Sequence, residues 1–153
     1  MLLEGHFQNA YVTRDLDKAL AMFRSRYGVD KVLQFQAAIE VKTPAGTGPA
    51  VLKTALAWVG PLQYEFIEPV SGLVQVYCDA LPEGEGFVFH HVCMRVHDWE
   101  RTRAEIERGP HPVVLEGKTT GVQFVYVDAR ETLGHYLEYA WMKPETWAAM
   151  GGR

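Results

Sequence analysis

The chain carries an internal repeat that leaves it few architectures. A run from Gln8 reads QNAYVTRDLDKAL and a run from His91 reads HVCMRVHDWERTR, and each has an aspartate seven residues after its start. Asp15 and Asp98 are suited to begin helices, because an aspartate side chain accepts hydrogen bonds from the unpaired N–H groups of a first turn. The shared order of strand, cap and helix, at an offset of 83 residues, predicts two similar units.

The two units are predicted to form one α+β domain over residues 1–153, each with a strand, a helix and three more strands. Apolar alternation and Gly/Pro breaks set the limits. The first unit covers about 5–70, a linker with a short helix 71–86, the second unit about 87–141, and a C-terminal tail 142–153. The expected strands are 5–13, 31–42, 50–59, 63–70, 88–97, 112–117, 121–128 and 135–140, with TPAGTGP at 43–49 as a loop.

The composition is that of an ordinary globular protein and excludes some partners. Hydrophobic residues make up 48% of the 153 residues and charged residues 22%. A net charge of −4, with no run of Lys or Arg, argues against a nucleic-acid partner. No apolar run approaches the roughly 20 residues of a membrane helix, and the N-terminal MLLEGHFQNA does not read as a secretory signal. Cys78 and Cys93 lack metal-finger spacing and fit unpaired thiols, which predicts a cytoplasmic location.

Side-chain alternation predicts which polar residues face the inside of the sheet. In the strand that contains HHVCMRV, the less apolar face carries His91, Cys93 and Arg95. His90 is expected on the packing face, because neighbours on a strand point to opposite sides. The two adjacent histidines are therefore not expected to serve one site, and His91 is the one predicted to lie inside.

Each unit also offers one carboxylate near the middle of its last strand. Glu65 in QYEFIEPV and Glu138 in HYLEYA both lie on the less apolar face of their strands. Gln8 aligns with His91 in the repeat and shares its inward parity, whereas Phe7 is expected on the helix side. Charged residues are rarely buried without a partner, so two inward carboxylates call for a cation.

Three motifs carry a resemblance to a known family: YEFIEP, then HHVCMRVHDWE, and GHYLEYA near the end. With them the chain resembles the vicinal oxygen chelate superfamily, which includes glyoxalase I, methylmalonyl-CoA epimerase, extradiol dioxygenases and bleomycin-binding proteins. The resemblance covers nearly the whole chain. It implies two tandem βαβββ modules that form a curved, cup-like mixed sheet, a homodimer, and four metal ligands, which are Gln8, Glu65, His91 and Glu138.

The ligand set favours a divalent metal and a proton-transfer reaction. One imidazole, two carboxylates and an amide oxygen suit Zn²⁺, Ni²⁺, Co²⁺ or Mn²⁺, and differ from the set with two histidines and one carboxylate that iron dioxygenases use. The resemblance implies a metal that acts as a Lewis acid on a small-molecule substrate and stabilises its enolate, with Glu138 as the base and Glu65 as the second candidate. Arg95 is predicted to bind a substrate carboxylate or phosphate, and Trp58 and Tyr136 to line the pocket.

Three functions remain open at this point. The first is a metal-dependent isomerase, epimerase or lyase that acts through an enolate on a small carbonyl or thioester substrate. The second is a lactoylglutathione lyase of the glyoxalase I type, although the positions expected to hold glutathione are Val12 and Pro69 here instead of Arg and Asn. The third is a metal-free small-molecule-binding protein that resembles the bleomycin-resistance members.

The linker resembles that of the epimerase branch, but one catalytic position differs. That branch is proposed to use a second carboxylate on the third strand of the first unit, where this chain has Lys53 and Thr54. Glu40 on the preceding strand is the candidate replacement, and an exposed strand glutamate is the alternative interpretation.

Overall fold

The computed structural model describes residues 2–152. Within that range no helix has both the length and the apolar character needed to cross a membrane. The elements in chain order are β1 (His6–Thr13), α1 (Leu16–Tyr27), β2 (Leu33–Thr43), β3 (Gly46–Val59), β4 (Leu62–Gly72), α2 (Gln75–Cys78), β5 (Phe87–Val96), α3 (Trp99–Arg108), β6 (Val113–Lys118), β7 (Val122–Asp128), α4 (Arg130–Leu133), β8 (Tyr136–Met142) and α5 (Pro144–Ala149).

Both helices expected from the repeat begin where the sequence indicates. The carboxylate of Asp15 accepts from the backbone N–H of Lys18, and that of Asp98 accepts from the backbone N–H of Arg101, each at 3.0 Å. Helix α1 ends at Gly28, whose φ of 67° is left-handed. Glycine adopts this conformation without a steric cost, so the chain turns out of the helix there.

All eight strands belong to one closed mixed sheet with the order β1-β4-β3-β2-β6-β7-β8-β5. Strand β1 is parallel to β4 and antiparallel to β5, and β5 is parallel to β8. The order β1-β4-β3-β2 in the first half of the chain therefore corresponds to β5-β8-β7-β6 in the second half. The halves meet along β1 and β5 on one side and along β2 and β6 on the other.

The mixed sheet curves as expected, but it closes into a barrel instead of remaining an open cup. The closing seam between β2 and β6 is short, with Val41 paired to Gly117 and Lys42 to Glu116. The ammonium group of Lys42 lies 3.7 Å from the carboxylate of Glu116 and adds an ion pair to the seam. The first residues of β2, Leu33 among them, pair with β3 alone.

Helices α1 and α3 cover the outside of the barrel, and a separate apolar cluster, to which α2 and α5 contribute Tyr77 and Trp147, fills the inside. Helix α1 packs Leu20 and Phe23 against Phe66 of β4 on the outer face. Helix α3 packs Ile106 against the outer faces of β7 and β8. The inner cluster includes Ile67, whose neighbour Phe66 belongs to the outer one, so β4 alternates between the two faces as the sequence indicated.

Three local details differ from the sequence predictions. The segment 43–49 is mostly strand, because Thr43 pairs with Gly46 and only two residues form the turn. Strand β4 continues beyond Pro69 to Gly72, with a register shift opposite it in β3 that accommodates the proline. The short helix α4 was not predicted, since four residues are too few to show a helical period.

The orientation of Phe7 also differs from the prediction. Phe7 packs in the inner cluster, where its ring meets Trp147 edge-on with centroids 4.9 Å apart. The β1–β5 register shifts between His6 and Gln8, and this irregularity allows consecutive residues to leave strict alternation.

Candidate metal centre

Three side chains from three strands meet inside the barrel. The ligand atoms of Glu65 on β4, His91 on β5 and Glu138 on β8 all lie within 4.8 Å of one another. Nε2 of His91 is 3.0 Å from Oε2 of Glu138 and 3.6 Å from Oε2 of Glu65. One ion with bonds of about 2.0–2.2 Å imposes ligand separations of roughly 3–4 Å, so the cluster needs little adjustment to hold one.

The sheet register explains why these side chains converge. Ala10 of β1 pairs with Glu65 on one side and with His91 on the other. Its methyl group is fully buried and is small enough to leave space between the two larger side chains. Strand β8 runs parallel beside β5, where Glu138 pairs with Cys93. The inward parity read from the sequence therefore brings one residue from each of three strands to one place.

Gln8, the fourth ligand expected from the sequence, lies on the strand that separates Glu65 from His91. It is buried on β1, two residues before Ala10, and its Nε2 donates to Oε1 of Gln63 at 2.6 Å. This bond occupies the amide nitrogen and leaves the side-chain oxygen, which is the atom that a metal ion binds. The sequence placed Gln63 on the same face as Glu65 but gave no sign that it would hold Gln8.

The expectation that His90 and His91 face opposite sides is wrong. Along the β1–β5 ladder Ala10 pairs with His91 and Tyr11 with Phe89, so His90 is an extra residue in β5. Such a β-bulge changes the direction of the inserted side chain. The Nδ1 atoms of the two histidines are 2.8 Å apart in the interior, so the two rings lie together.

Burial and neighbouring charges shift the pKa values of the groups in and beside the cluster. Burial on its own lowers the pKa of His91, but the hydrogen bonds and charges of Glu138 and Glu65 outweigh it and raise this pKa to about 9. Burial raises the pKa of Glu65, against the opposing effect of His91. Burial, followed by the charge of His91, lowers the pKa of His90 to about 3, so His90 is neutral.

The donor set fits a divalent cation. Two carboxylates face one imidazole in a place where water is largely excluded, with His91 fully buried and Glu138 9% exposed. Without a cation, the protonated imidazole balances only one of the two carboxylates. A divalent ion would balance both while the imidazole stays neutral, which is the usual reason for such a group in a barrel interior.

The residues predicted to bind substrate are spread over the interior. The guanidinium of Arg95 lies 4.0 Å from the ring centroid of Trp147. The indole Nε1 of Trp58 donates to the backbone oxygen of Met150 at 2.6 Å. Tyr136 is buried with its ring 4.8 Å from that of His90. Tyr136 therefore lies next to the histidine pair, whereas Arg95 and Trp58 both contact helix α5 or the residue after it.

A cavity of about 1080 Å³ adjoins the first half of the barrel interior. Its walls are mostly apolar and aromatic and include Phe7, Leu56, Trp58 and Trp147. Leu56 is the cross-strand neighbour of Glu65, so the cavity reaches the residue beside the cluster. A volume of this size accommodates a small organic molecule.

The candidate second base lies away from the cluster. Glu40 is exposed, while its neighbours on β2, Ile39 and Val41, pack with the inner apolar residues. The ammonium group of Lys53 pairs with Glu68 at 3.0 Å. Neither the second strand nor the third supplies an inward carboxylate from these positions.

Comparisons with known proteins agree with this geometry. The family model described as Glyoxalase/Bleomycin resistance protein/Dioxygenase superfamily matches residues 7–126. The fold is similar to that of methylmalonyl-CoA epimerase from Mycobacterium tuberculosis, with 16% identity and a TM-score of 0.62 over 96% of this chain and 93% of that one.

Two further solved structures show the same likeness. A methylmalonyl-CoA epimerase in complex with methylmalonyl-CoA and NH4+ has 17% identity and a TM-score of 0.64, over 93% of this chain and 96% of the other. A hypothetical protein from Bacillus halodurans has 16% identity and a TM-score of 0.60, over 90% and 94%. No curated protein sequence gives a significant match. At these identities the likeness concerns the fold.

Proposed function

The chain belongs to the Glyoxalase/Bleomycin resistance protein/Dioxygenase superfamily, and on this premise we propose that it is a divalent-metal-dependent isomerase, epimerase or lyase acting on a small carbonyl or thioester substrate. The observation that carries the proposal is the cluster of Glu65, His91 and Glu138, in which the imidazole is buried and both carboxylates are partly exposed. We interpret the matching strand orders of the two halves as tandem βαβββ modules, over about 5–70 and 87–141, joined by the α2 linker.

The residues that would hold the ion are Gln8 through its side-chain oxygen, His91 through Nε2, and the carboxylates of Glu65 and Glu138. Zn²⁺, Ni²⁺, Co²⁺ and Mn²⁺ accept this mixture of oxygen and nitrogen donors. When bound, such a cation supplies Lewis-acid stabilisation of the negative charge that develops on a substrate oxygen.

Glu138 is the residue we assign to proton transfer. It is almost fully buried and hydrogen-bonded to Nε2 of His91, so its carboxylate is held at a fixed position. Glu65, on the other side of His91 at 3.6 Å, is the second candidate.

A single base fits this chain better than a pair. Lys53 pairs with Glu68, and Glu40 is exposed on the other face of β2, so the position used by a second base in the epimerase branch has no carboxylate here. We therefore favour a reaction in which Glu138 both removes and returns the proton, or an elimination that needs one base.

The substrate is proposed to extend from the cluster into the cavity. Apolar and aromatic walls suit an apolar group next to the reacting carbonyl, and Trp58 is the predicted contact there. Arg95 is proposed for a carboxylate or phosphate and Tyr136 for a contact near His91. Because structural neighbours are methylmalonyl-CoA epimerases, an acyl thioester is the first class of substrate to test.

A lactoylglutathione lyase is the second candidate, favoured by the donor set of amide, carboxylate, imidazole and carboxylate. It ranks lower because Val12 is fully buried in the inner cluster, where that branch is expected to hold glutathione with an arginine. A homodimer and a cytoplasmic location are parts of the proposal that sedimentation and localisation measurements test separately.

The test combines elemental analysis with deuterium exchange. Protein purified without chelator is assayed for bound metal and then incubated in D₂O with acyl-CoA thioesters, 2-oxo compounds and a glutathione hemithioacetal. The proposal expects about one divalent ion per chain and exchange next to a carbonyl that stops when the metal is removed. Turnover of the hemithioacetal alone would favour the lyase, and tight ligand binding without metal would replace both with a binding protein.

A further inference from the structure

We propose that His90 is a positioning residue, which together with the backbone carbonyl of Val76 fixes the ring of His91 so that Nε2 faces Glu65 and Glu138 and can offer its lone pair to a metal ion. The inference rests on the proposed metal centre, because it concerns how a ligand of that centre is oriented. It assigns a role to His90, the histidine of the pair that the proposed reaction does not use.

The protons in this chain of contacts can be placed from chemistry alone. Nε2 of His90 is 3.0 Å from the carbonyl oxygen of Val76, and a carbonyl only accepts, so this nitrogen carries the proton. A neutral imidazole then presents Nδ1 as an acceptor. Nδ1 of His91, 2.8 Å away, must therefore be the donor. In the metal-free protein Nε2 of His91 also carries a proton, which it donates to Glu138 at 3.0 Å. When a metal ion replaces that proton, the proton on Nδ1 stays and the lone pair of Nε2 points toward the two carboxylates.

The surroundings of His90 keep it neutral and in place. Its side chain is buried, stacked on Tyr77 with centroids 5.3 Å apart and packed on Tyr136 at 4.8 Å. An imidazolium in these aromatic surroundings would lack a carboxylate partner of its own, whereas the neutral ring satisfies both nitrogens. A ligating histidine commonly donates its other N–H to an outer partner, and such partners affect metal affinity about 10- to 100-fold.

We call the contacts from His91 through His90 to the carbonyl of Val76 the relay. The linker helix α2 supplies the last member of this relay. Val76 and Tyr77 both belong to α2, and the hydroxyl of Tyr77 donates to that of Tyr126 on β7 at 3.2 Å. The helix is thus attached to the second half of the barrel while its carbonyl ends the relay. The β-bulge at His90 is what turns this ring inward to meet the carbonyl.

The test compares two substitutions of similar size. In His90→Asn the side-chain oxygen takes the place of Nδ1 and can still accept from His91, whereas His90→Leu removes the acceptor. His135→Gln is the control, since the ring of His135 also bonds a backbone carbonyl, that of Tyr136, at 2.8 Å. Zinc affinity is measured by chelator competition, and thermal unfolding of each metal-free variant checks that it folds.

We expect His90→Leu to weaken zinc binding about 10- to 100-fold, while His90→Asn and the control stay within about threefold of wild type. A second readout needs neither metal nor variants. Nitrogen-15 NMR of the metal-free wild type should show His90 protonated on Nε2 and not on Nδ1. Equal zinc affinity in the leucine and asparagine variants, or a proton on Nδ1 of His90, would overturn the proposal, as would absence of zinc binding by wild type.

The orienting role of His90 and the proposed reaction would fail in different ways. If the zinc and NMR results are as expected but no candidate substrate exchanges deuterium, the proposed reaction is wrong and the relay stands. If exchange occurs and His90→Leu keeps full zinc affinity, the relay alone is wrong.

Discussion

The two halves of the barrel interior have the same strand order but different fillings. In the second half, Leu115, Phe124 and Tyr126 are buried together in the inner cluster. In the first half, Leu33 on β2 is 50% exposed and, with Leu56, borders the cavity of about 1080 Å³. We infer that the packed half holds the reactive groups in position and that the open half leaves space for a substrate.

The first strands of the two halves are similar at the cluster but differ in the charge of one residue. Gln8 on β1 and His91 on β5 each have a buried side-chain partner, Gln63 and His90 respectively. Each partner occupies one polar atom of the inner residue, and the other ring nitrogen of His91 meets Glu138. His91, unlike Gln8, can change its charge, and its pKa is raised to about 9.

The largest expected effect is the loss of the base from the packed half. Glu138→Gln keeps the shape of the side chain but removes the charge that would accept a proton, so deuterium exchange should fall by about 10²- to 10⁴-fold, with weaker metal retention. Glu131→Gln, an exposed glutamate on α4, is the matched control and should retain full activity. Full exchange in the Glu138 variant would defeat the assignment.

The contrast between Gln8 and His91 predicts a pH dependence of stability. The pKa of His91 is raised from its ordinary 6.5 to about 9 in the folded protein. Protonation of His91 therefore contributes fully to the free energy of unfolding below about pH 6.5. This contribution, on the order of 3 kcal/mol at roughly 1.4 kcal/mol per pH unit, is lost as the pH rises to about 9. Urea unfolding of chelator-treated protein across this range measures it.

The control for this effect is His91→Gln, which gives the second half the same residue type that the first half has at Gln8. Its stability should depend much less on pH between about 6.5 and 9. An equally steep decline in this variant would place the titrating group elsewhere.

Space inside the two halves can be compared with one pair of substitutions. Leu115→Phe adds volume to a fully buried, packed site and should destabilise by about 1–3 kcal/mol. Leu56→Phe directs the same added volume toward the cavity and should cost less than about 1 kcal/mol, while hindering substrates. Urea unfolding gives both values, and equal costs would mean that the cavity does not distinguish the halves.

The smallest expected effect concerns the seam that joins the halves. The side chain of Lys42 is 71% exposed in its pair with Glu116. Exposed pairs contribute little, so Lys42→Met should change stability by less than about 1 kcal/mol. A loss of several kcal/mol on unfolding would show that closure of the barrel depends on this contact.

Alternation and capping rules predicted much of this molecule because they depend on local chemistry. Asp15 and Asp98 cap their helices as expected, and Glu65 and His91 reach the interior with the parity read from their strands. The ligand roles themselves came from a family resemblance and stay proposals.

The features that the sequence did not predict depend on long-range pairing. The bulge that brings His90 against His91 arises from the register between β1 and β5, which alternation within β5 cannot indicate. The same applies to Phe7, beside the other irregularity of that ladder, and to the two-residue seam between β2 and β6. The adjacent histidines His90 and His91 are the one sequence signal that could have indicated a bulge in β5.

The most direct test of the central claim is an anomalous-scattering map from crystals of the zinc-loaded protein, collected at the zinc edge. The account predicts one peak per chain, about 2.0–2.2 Å from Nε2 of His91 and from carboxylate oxygens of Glu65 and Glu138. A fully loaded crystal with no peak there, or with its peak at another group of residues, would contradict it.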